Sequence, residues 1–274
     1  MRFSIWMSLV ATMTFMLACS QAPCSHAEGG DGKAPAQTEE HPLMPALRWA
    51  HDMEKHIDKD IKDYTCTMVK RERIEGKLGE PEYIAAKIRH QPFSVYMCFL
   101  KPESKKGQEA IYVAGQNGGN LIGHGVGIAK IIGKVSIAPT SAMAMKDNRY
   151  PITEAGFKNL TKRLIEVGEN DAKFGECEVN FYKNAKINDG NSSRVTTCIQ
   201  VTHPVPRQNF IFHMARIFID DELNFPIRYE AYDWPAKTGG KPELLEEYTY
   251  LNLKLNVGLT DADFDPNNPN YQFK

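Results

Sequence analysis

Carboxylates, histidines and cysteines are the residues with chemistry to offer, and their spacing here supports little catalysis. Asp220, Asp221 and Glu222 are consecutive. Neighbouring strand or turn residues diverge in direction, so the three read as a solvated hairpin tip and not as an acid–base pair. Asp261, Asp263 and Asp265 match the first acidic positions of a calcium loop. Pro266 stands where that loop needs glycine, and the bidentate glutamate is missing, so a polar terminal segment is the expectation. The eight histidines are scattered. His51 and His56 are five apart, off the i, i+4 spacing of paired helical ligands. His203 and His213 would approach across strands, yet no carboxylate or cysteine completes a ligand set in the sequence. No Gly-x-Ser-x-Gly elbow occurs. The glycine-rich run from Gly115 to Gly127 lacks a following Gly-Lys-Ser/Thr and reads as a hairpin turn, not as a phosphate cradle. These residues indicate no enzyme, no metal and no cofactor.

Cysteine use depends on compartment, and the N-terminus sets the compartment. Arg2 precedes an apolar run from Phe3 to Ala18, too short for a membrane span and placed as an export signal. Met16-Leu17-Ala18-Cys19 resembles a bacterial lipobox, with Cys19 as the acylated new terminus. Ser25-His26-Ala27 resembles an ordinary cleavage site, so residues 1–27 are the export segment on that reading. Acylation at Cys19 would supply several chains and hold the protein at a membrane facing the periplasm. Residues 28–40, rich in Gly, Ala, Pro, Gln and charge, form a flexible tether. Export permits disulfides. Cys177 and Cys198 flank a turn around Asn188-Asp189-Gly190-Asn191 and are expected to pair across neighbouring strands. Cys66 and Cys98 either pair or stay as buried apolar groups. The net charge of −1 gives no footprint for nucleic acid.

The elements follow from periodicity. His41 to Ile61 reads as a helix with Ala46, Ala50, Met53, Ile57 and Ile61 on one face. The period then becomes two. Strands are expected at Tyr64 to Ile74, Tyr83 to His90, Phe93 to Leu100, Ala110 to Ala114, Leu121-Ile122 and Ile128 to Ile137. A second helix from Thr153 to Val167 carries Phe157, Leu160, Leu164 and Val167, with Thr153 as N-cap and Gly168 as the terminating glycine. Further strands run from Cys177 to Ile187, Arg194 to His203, Phe210 to Ile219, Ile227 to Trp234 and Leu244 to Val257. Residues 41–274 are thus expected to form a single β-rich domain. Its fold class is mainly β with covering helices (α+β), a curved antiparallel sheet whose inner face the helices cover.

Two stretches carry a resemblance. Phe218 to Asp233, with Ile219-Asp220, Pro226, Arg228, Glu230, Tyr232 and Asp233, resembles a hairpin of the outer-membrane lipoprotein carrier superfamily. Glu247 to Leu259, with Phe264 following, resembles its closing strand. The region from Tyr64 to Phe273 is more closely similar to a bacterial domain-of-unknown-function family. The hallmarks are Tyr64-Thr65-Cys66-Thr67-Met68, Asn148-Arg149-Tyr150-Pro151-Ile152-Thr153 and His203-Pro204-Val205-Pro206. The resemblance implies an unclosed β-barrel curved around helices, with a cavity that takes acyl chains or serves a stress-sensor module. On that basis Phe93, Val95, Met97, Phe99, Leu251, Leu253 and Leu255 are the candidate cavity residues, against the simpler reading that they pack on the helices. A cavity of several hundred Å³ is the expected sign of ligand binding. A second expectation is a protein-interaction or sensor module with an exposed apolar patch or β-edge. A third is an enzyme, marked by converging titratable residues in a cleft. Lys70, Arg71, Arg73, Lys87, Arg89 and His90 form a basic rim, either an edge device against aggregation or a contact for anionic lipid or an acidic partner.

Overall fold

The computed structural model describes residues 40–188, 193–237 and 239–273. The expectations for the export signal, both cleavage sites, Cys19 and nearly all of the tether fall on residues 1–39, outside the described residues. So does most of the turn at 189–192.

Helix α1 (Met44–Asp60) buries Leu47, Met53 and Ile57. It ends at Ile61, whose extended backbone starts the switch to β structure. Strands β1 (Asp63–Ile74), β2 (Lys77–Leu78), β3 (Glu82–His90), β4 (Phe93–Lys101), β5 (Glu109–Val113), β6 (Leu121–His124) and β7 (Lys134–Ile137) follow. The short helix α2 (Ala142–Met145) precedes α3 (Phe157–Asp171). Strands β8 (Glu178–Asn188), β9 (Ser193–Thr202), β10 (Met214–Asp220), β11 (Pro226–Asp233) and β12 (Glu243–Leu255) complete the chain.

All pairings are antiparallel, in the order β7-β6-β5-β4-β3-β1-β12-β11-β10-β9-β8, with β2 attached to β1. The chain's first and last long strands, β1 and β12, meet in the middle. The two ends of the sheet, β7 and β8, do not pair, so the barrel is unclosed. Twelve strands are too many to stay flat, because right-handed twist accumulates from strand to strand.

The helices cover one face. Leu43, Leu47 and Met53 of the α1 region pack with Ile199, Val201, Ala215 and Ile219. Helix α3 crosses α1 so closely that a Cβ at Gly168 would lie 2.9 Å from Leu47 Cδ2. Gly168 therefore sits inside α3 as a packing device and does not terminate it. The start of α3 differs from expectation as well. Thr153 lies in a 3-10 turn (Ile152–Glu154), and the N-cap is Gly156 at φ 98°. Gly156 brings no side chain to the cap, so the Phe157 N–H donates to the Tyr64 hydroxyl at 3.2 Å. Phe157 stacks between Tyr64 (4.2 Å) and Phe225 (4.4 Å), which ties α3 to the sheet's centre. The expected strand from Ile128 is shorter than the apolar run suggests, since Gly127–Ile132 is a 3-10 helix. On the opposite face of β4 and β5, Phe264, Tyr271 and Phe273 of the C-terminal segment pack against Tyr96, Ile111 and Val113.

Candidate functional site

Between sheet and helix α3 lies a cavity of about 760 Å³. Its apolar wall comes from alternate residues of successive strands, among them Met68, Ile84, Met97, Phe99, Leu121, Val135 and Ile137. Leu160, Leu164 and Val167 of α3 close the other side. The alternation along β1 explains the cavity's gradient. Tyr64, Cys66 and Met68 share its inner face with Lys70 and Glu72, and all five are buried. One end is therefore aromatic core, the middle is open and apolar, and the far end is charged.

That far end is a network of buried ions. Lys70 Nζ lies 3.4 Å from Glu72 and 3.2 Å from Glu82, and it also donates to Asn148 Oδ1. Glu72 accepts from the Tyr248 hydroxyl and from the Arg149 backbone N–H at 3.1 Å. Directly opposite Glu72 in the register stands Glu246. It accepts from Arg149 Nε at 2.6 Å and from the Tyr150 hydroxyl at 3.0 Å. Burial pushes the Glu246 carboxyl above the usual range, and Glu72 adds to the rise. Arg149 and Tyr150 offset only part of it. Lys105 bridges Glu82 and Asp147. Three carboxylates (Glu72, Glu82 and Glu246) thus face three cations (Lys70, Lys105 and Arg149), and the ion pairs fasten segment 147–150 to β1 and β12.

Of the seven candidate cavity residues, Met97 and Phe99 line the cavity. Phe93, Val95, Leu251, Leu253 and Leu255 do not; they belong to the packed core or its margin. On β12 the cavity face is Glu246, Tyr248 and Tyr250. Strict alternation assigns Leu251, Leu253 and Leu255 to one face, but a bulge interrupts it. Asn252 has φ 53°, and the register jumps between Thr65↔Lys254 and Thr67↔Leu251. Beyond the bulge the parity reverses, so Leu255 stands opposite Tyr64 and Tyr250 opposite Met68 on the same face. Sequence reading missed Glu72, Arg149, Tyr150, Glu246 and Tyr248. The available signal was the placement of Lys70 and Glu72 on the face that begins with Tyr64 and Met68.

Cys66, Cys98, Cys177 and Cys198 are all free thiols, so the expected Cys177–Cys198 bridge is not present. Cys198 pairs in register with Tyr182, five positions along β8 from Cys177, roughly 17 Å at ~3.4 Å per residue. Burial pushes the Cys66 and Cys177 thiols up to about 12 and Cys198 to about 11, values of inert packing groups. Asp220 is fully buried and does not sit at a solvated tip. Arg194 donates to it at 2.6 and 2.7 Å, and the Glu222 and Leu223 N–H groups donate at 3.0 Å. Asp263 accepts from Lys87 at 2.7 Å and caps the turn at Thr260, while Asp261 meets Arg89 at 2.8 Å. These pairs engage Lys87 and Arg89 of the supposed basic rim, while Arg71 donates to the Gly79 carbonyl at 2.9 Å and buried His90 meets the Ile61 carbonyl at 2.8 Å. Lys70 lies in the buried network, and Arg73 meets Glu243 at 3.3 Å. His203 does approach His213: the His203 backbone N–H donates to the His213 carbonyl at 2.7 Å, and His213 Nδ1 lies 2.9 Å from the His203 carbonyl. His203 also finds a carboxylate that no motif showed, since its Nε2 lies 3.3 Å from buried Asp171. Among the described residues no three His, Cys, Asp or Glu side chains converge as metal ligands.

The chain is thus an unclosed antiparallel barrel with covering helices and an internal apolar cavity. It belongs to the protein-of-unknown-function family DUF1571, whose pattern matches residues 61–273. No curated protein sequence matches it. Among solved structures it is similar to the Mycobacterium tuberculosis lipoprotein LppX, at 12% identity and TM-score 0.45 over 81% of this chain and 100% of that one. A putative outer membrane lipoprotein-sorting protein domain from Vibrio parahaemolyticus matches at 14% identity and TM-score 0.36, over 81% and 96%. MucB, in the Pseudomonas aeruginosa MucA/MucB complex, matches at 12% identity and TM-score 0.43, over 81% and 60%.

Proposed function

We propose that this protein is a non-catalytic envelope protein that holds an acyl chain, or a similarly shaped apolar group, between sheet and α3. The observation that carries the proposal is the cavity. Its volume of about 760 Å³ falls within the range of small-molecule sites, and its middle is walled by aliphatic, Met and Phe side chains. Well-packed domains leave few voids larger than a water molecule, so a space this size calls for an occupant. Ten methylenes transferred into it would contribute roughly 8 kcal/mol before ordering costs, enough for useful affinity from chain burial alone. Export through residues 1–27, with Cys19 as the alternative lipid anchor, belongs to the same proposal. So does a lipid or an acylated protein as the partner.

Native mass spectrometry of protein purified from a bacterial envelope tests this reading. It should carry a stoichiometric lipid-sized adduct that organic extraction removes. Ala110→Trp, which fills the cavity from β5, should be free of it. A clean apo mass with no shift on adding fatty acids or phospholipids would sink the proposal.

One observation favours another reading. An interaction module gains support from β8, an edge strand of 11 residues on which Phe181 and Tyr182 are 45% and 50% exposed. Charged substitutions at both positions should then abolish capture of a partner without touching lipid content. The Glu72–Glu246 pair is the titratable cluster an enzyme would show, but its charges are matched one for one by the surrounding cations. A turnover lost in Glu246→Gln would be needed to revive catalysis.

A further inference from the structure

The cavity's rim carries exposed aliphatic side chains. Met143 and Ile211 both line the cavity and expose 69% and 51% of their surface. Ile131, in the turn that leads into cavity-lining Gly133 and Val135, is 86% exposed. Aliphatic tips left bare at a cavity mouth expose apolar surface to water.

Charge distinguishes the occupant. Lys146 lines the cavity with Met143, Lys130 adjoins Ile131 and Lys134 adjoins cavity-lining Val135 in sequence; all three lysines are exposed and take part in no ion pair among the described residues. Elsewhere on the same wall the cations are engaged, as Lys105 with Glu82 and Asp147, and Arg149 with Glu246. Of the rim's carboxylates, Asp147 is held by Lys105, which leaves Glu154 exposed against three free lysines. Protruding aliphatic tips interleaved with unpaired, long-stemmed cations fit a surface that is apolar below and anionic above. Arg163, which also lines the cavity, is engaged with Glu166 at 3.8 Å, so it is not a free arginine anchor of the kind that dominates protein interfaces.

We propose that Ile131, Met143 and Ile211, with Lys130, Lys134 and Lys146, form a docking surface for an anionic lipid bilayer at the cavity's mouth. An acyl ligand would pass there between membrane and cavity without crossing water. The proposal rests on the acyl-binding reading for its purpose but not for its test. It is separate from any anchor at Cys19, which would tether the chain without orienting the mouth.

The test places a reporter at the rim of the full chain. Ile131→Trp should show blue-shifted indole emission, relative to the parent protein, on vesicles of phosphatidylglycerol. Brominated acyl chains should quench that emission, and vesicles of phosphatidylcholine should give little shift. Replacing all three lysines by glutamine in that background should weaken the phosphatidylglycerol response on the order of a hundredfold, at about tenfold or less per lysine. Unchanged emission, or an equal shift on both vesicles, would overturn the proposal. A shift that appears with protein concentration and no vesicles would assign the rim to a second copy and overturn it too. Uptake of a fluorescent fatty acid from free solution is measured alongside. Binding of the free probe without an indole shift removes docking and keeps the cavity reading. An indole shift without probe binding does the reverse.

Discussion

Asp220 and Glu246 are both buried carboxylates, and their surroundings drive them in opposite directions. At Asp220 burial pushes the acid up, but Arg194 and two backbone N–H groups outweigh it and hold it below the ordinary value. Its contribution to stability is therefore complete above the unfolded value of about 3.9 and disappears as pH falls through the lower folded one. Asp220→Asn should cost about 2 kcal/mol at pH 7 by urea denaturation, allowing for the partial exposure of Arg194, and the difference from wild type should shrink as pH falls below the unfolded value. Glu246 has the opposite sign. Its folded value is raised, so this site gains stability as pH falls from above that value toward the unfolded value of about 4.3. Glu246→Gln should cost less than about 1 kcal/mol at pH 8, while Glu246→Ala should cost about 3 because Arg149 and Tyr150 lose their acceptor. The buried thiols give a simpler expectation. Without reductant, native protein at pH 8 should alkylate slowly at Cys66, Cys177 and Cys198, and denatured protein should take up label at all three. A native disulfide would leave a labelling deficit.

Glycine and asparagine with positive φ set how the elements meet. Gly156 begins α3 at φ 98°, and an added Cβ would lie 2.5 Å from the Tyr64 hydroxyl. Gly156→Ala combines backbone strain with displacement of the group that receives the first N–H of the helix. The loss should be about 3 kcal/mol, read from the shift in denaturation midpoint at unchanged slope. Gly168→Ala brings a Cβ to 2.9 Å from the flexible end of Leu47, which can move, so a smaller loss is expected there. On β12, Asn252→Gly should be tolerated because the bulge needs only positive φ. Deleting Asn252 restores plain alternation, so it should turn either Tyr250 or Leu255 away from the core and unfold the protein. Circular dichroism of the purified deletion variant is the check.

For the molecule as a whole, an open sheet leaves an interior that its own side chains do not fill. Ligand binding to the folded state alone should add about 2.7 kcal/mol to stability at one hundred times Kd, visible as a thermal shift that Ala110→Trp abolishes. Protein stripped of ligand should unfold at a lower temperature than protein as purified, and adding back the extract should restore the difference.

Period and composition by themselves determined the β-rich class, the two covering helices and most strand limits. Those features depend on local alternation and on apolar faces that must be buried. The inward set on β1 was legible as far as Met68, but Lys70 and Glu72 continue the same alternation with charges that pattern alone assigns to solvent. What tertiary structure decided was which of two alternating faces points inward past Asn252, where one left-handed residue reverses parity without any change in hydrophobic pattern. It also decided that Cys198 faces Tyr182 and not Cys177, since register is fixed by pairing along the whole strand and not by the turn that separates two cysteines. The charged end of the cavity belongs to the same group. Glu72, Arg149 and Glu246 are far apart in sequence, and only the meeting of β1 with β12 beneath segment 147–150 brings them within hydrogen-bonding distance.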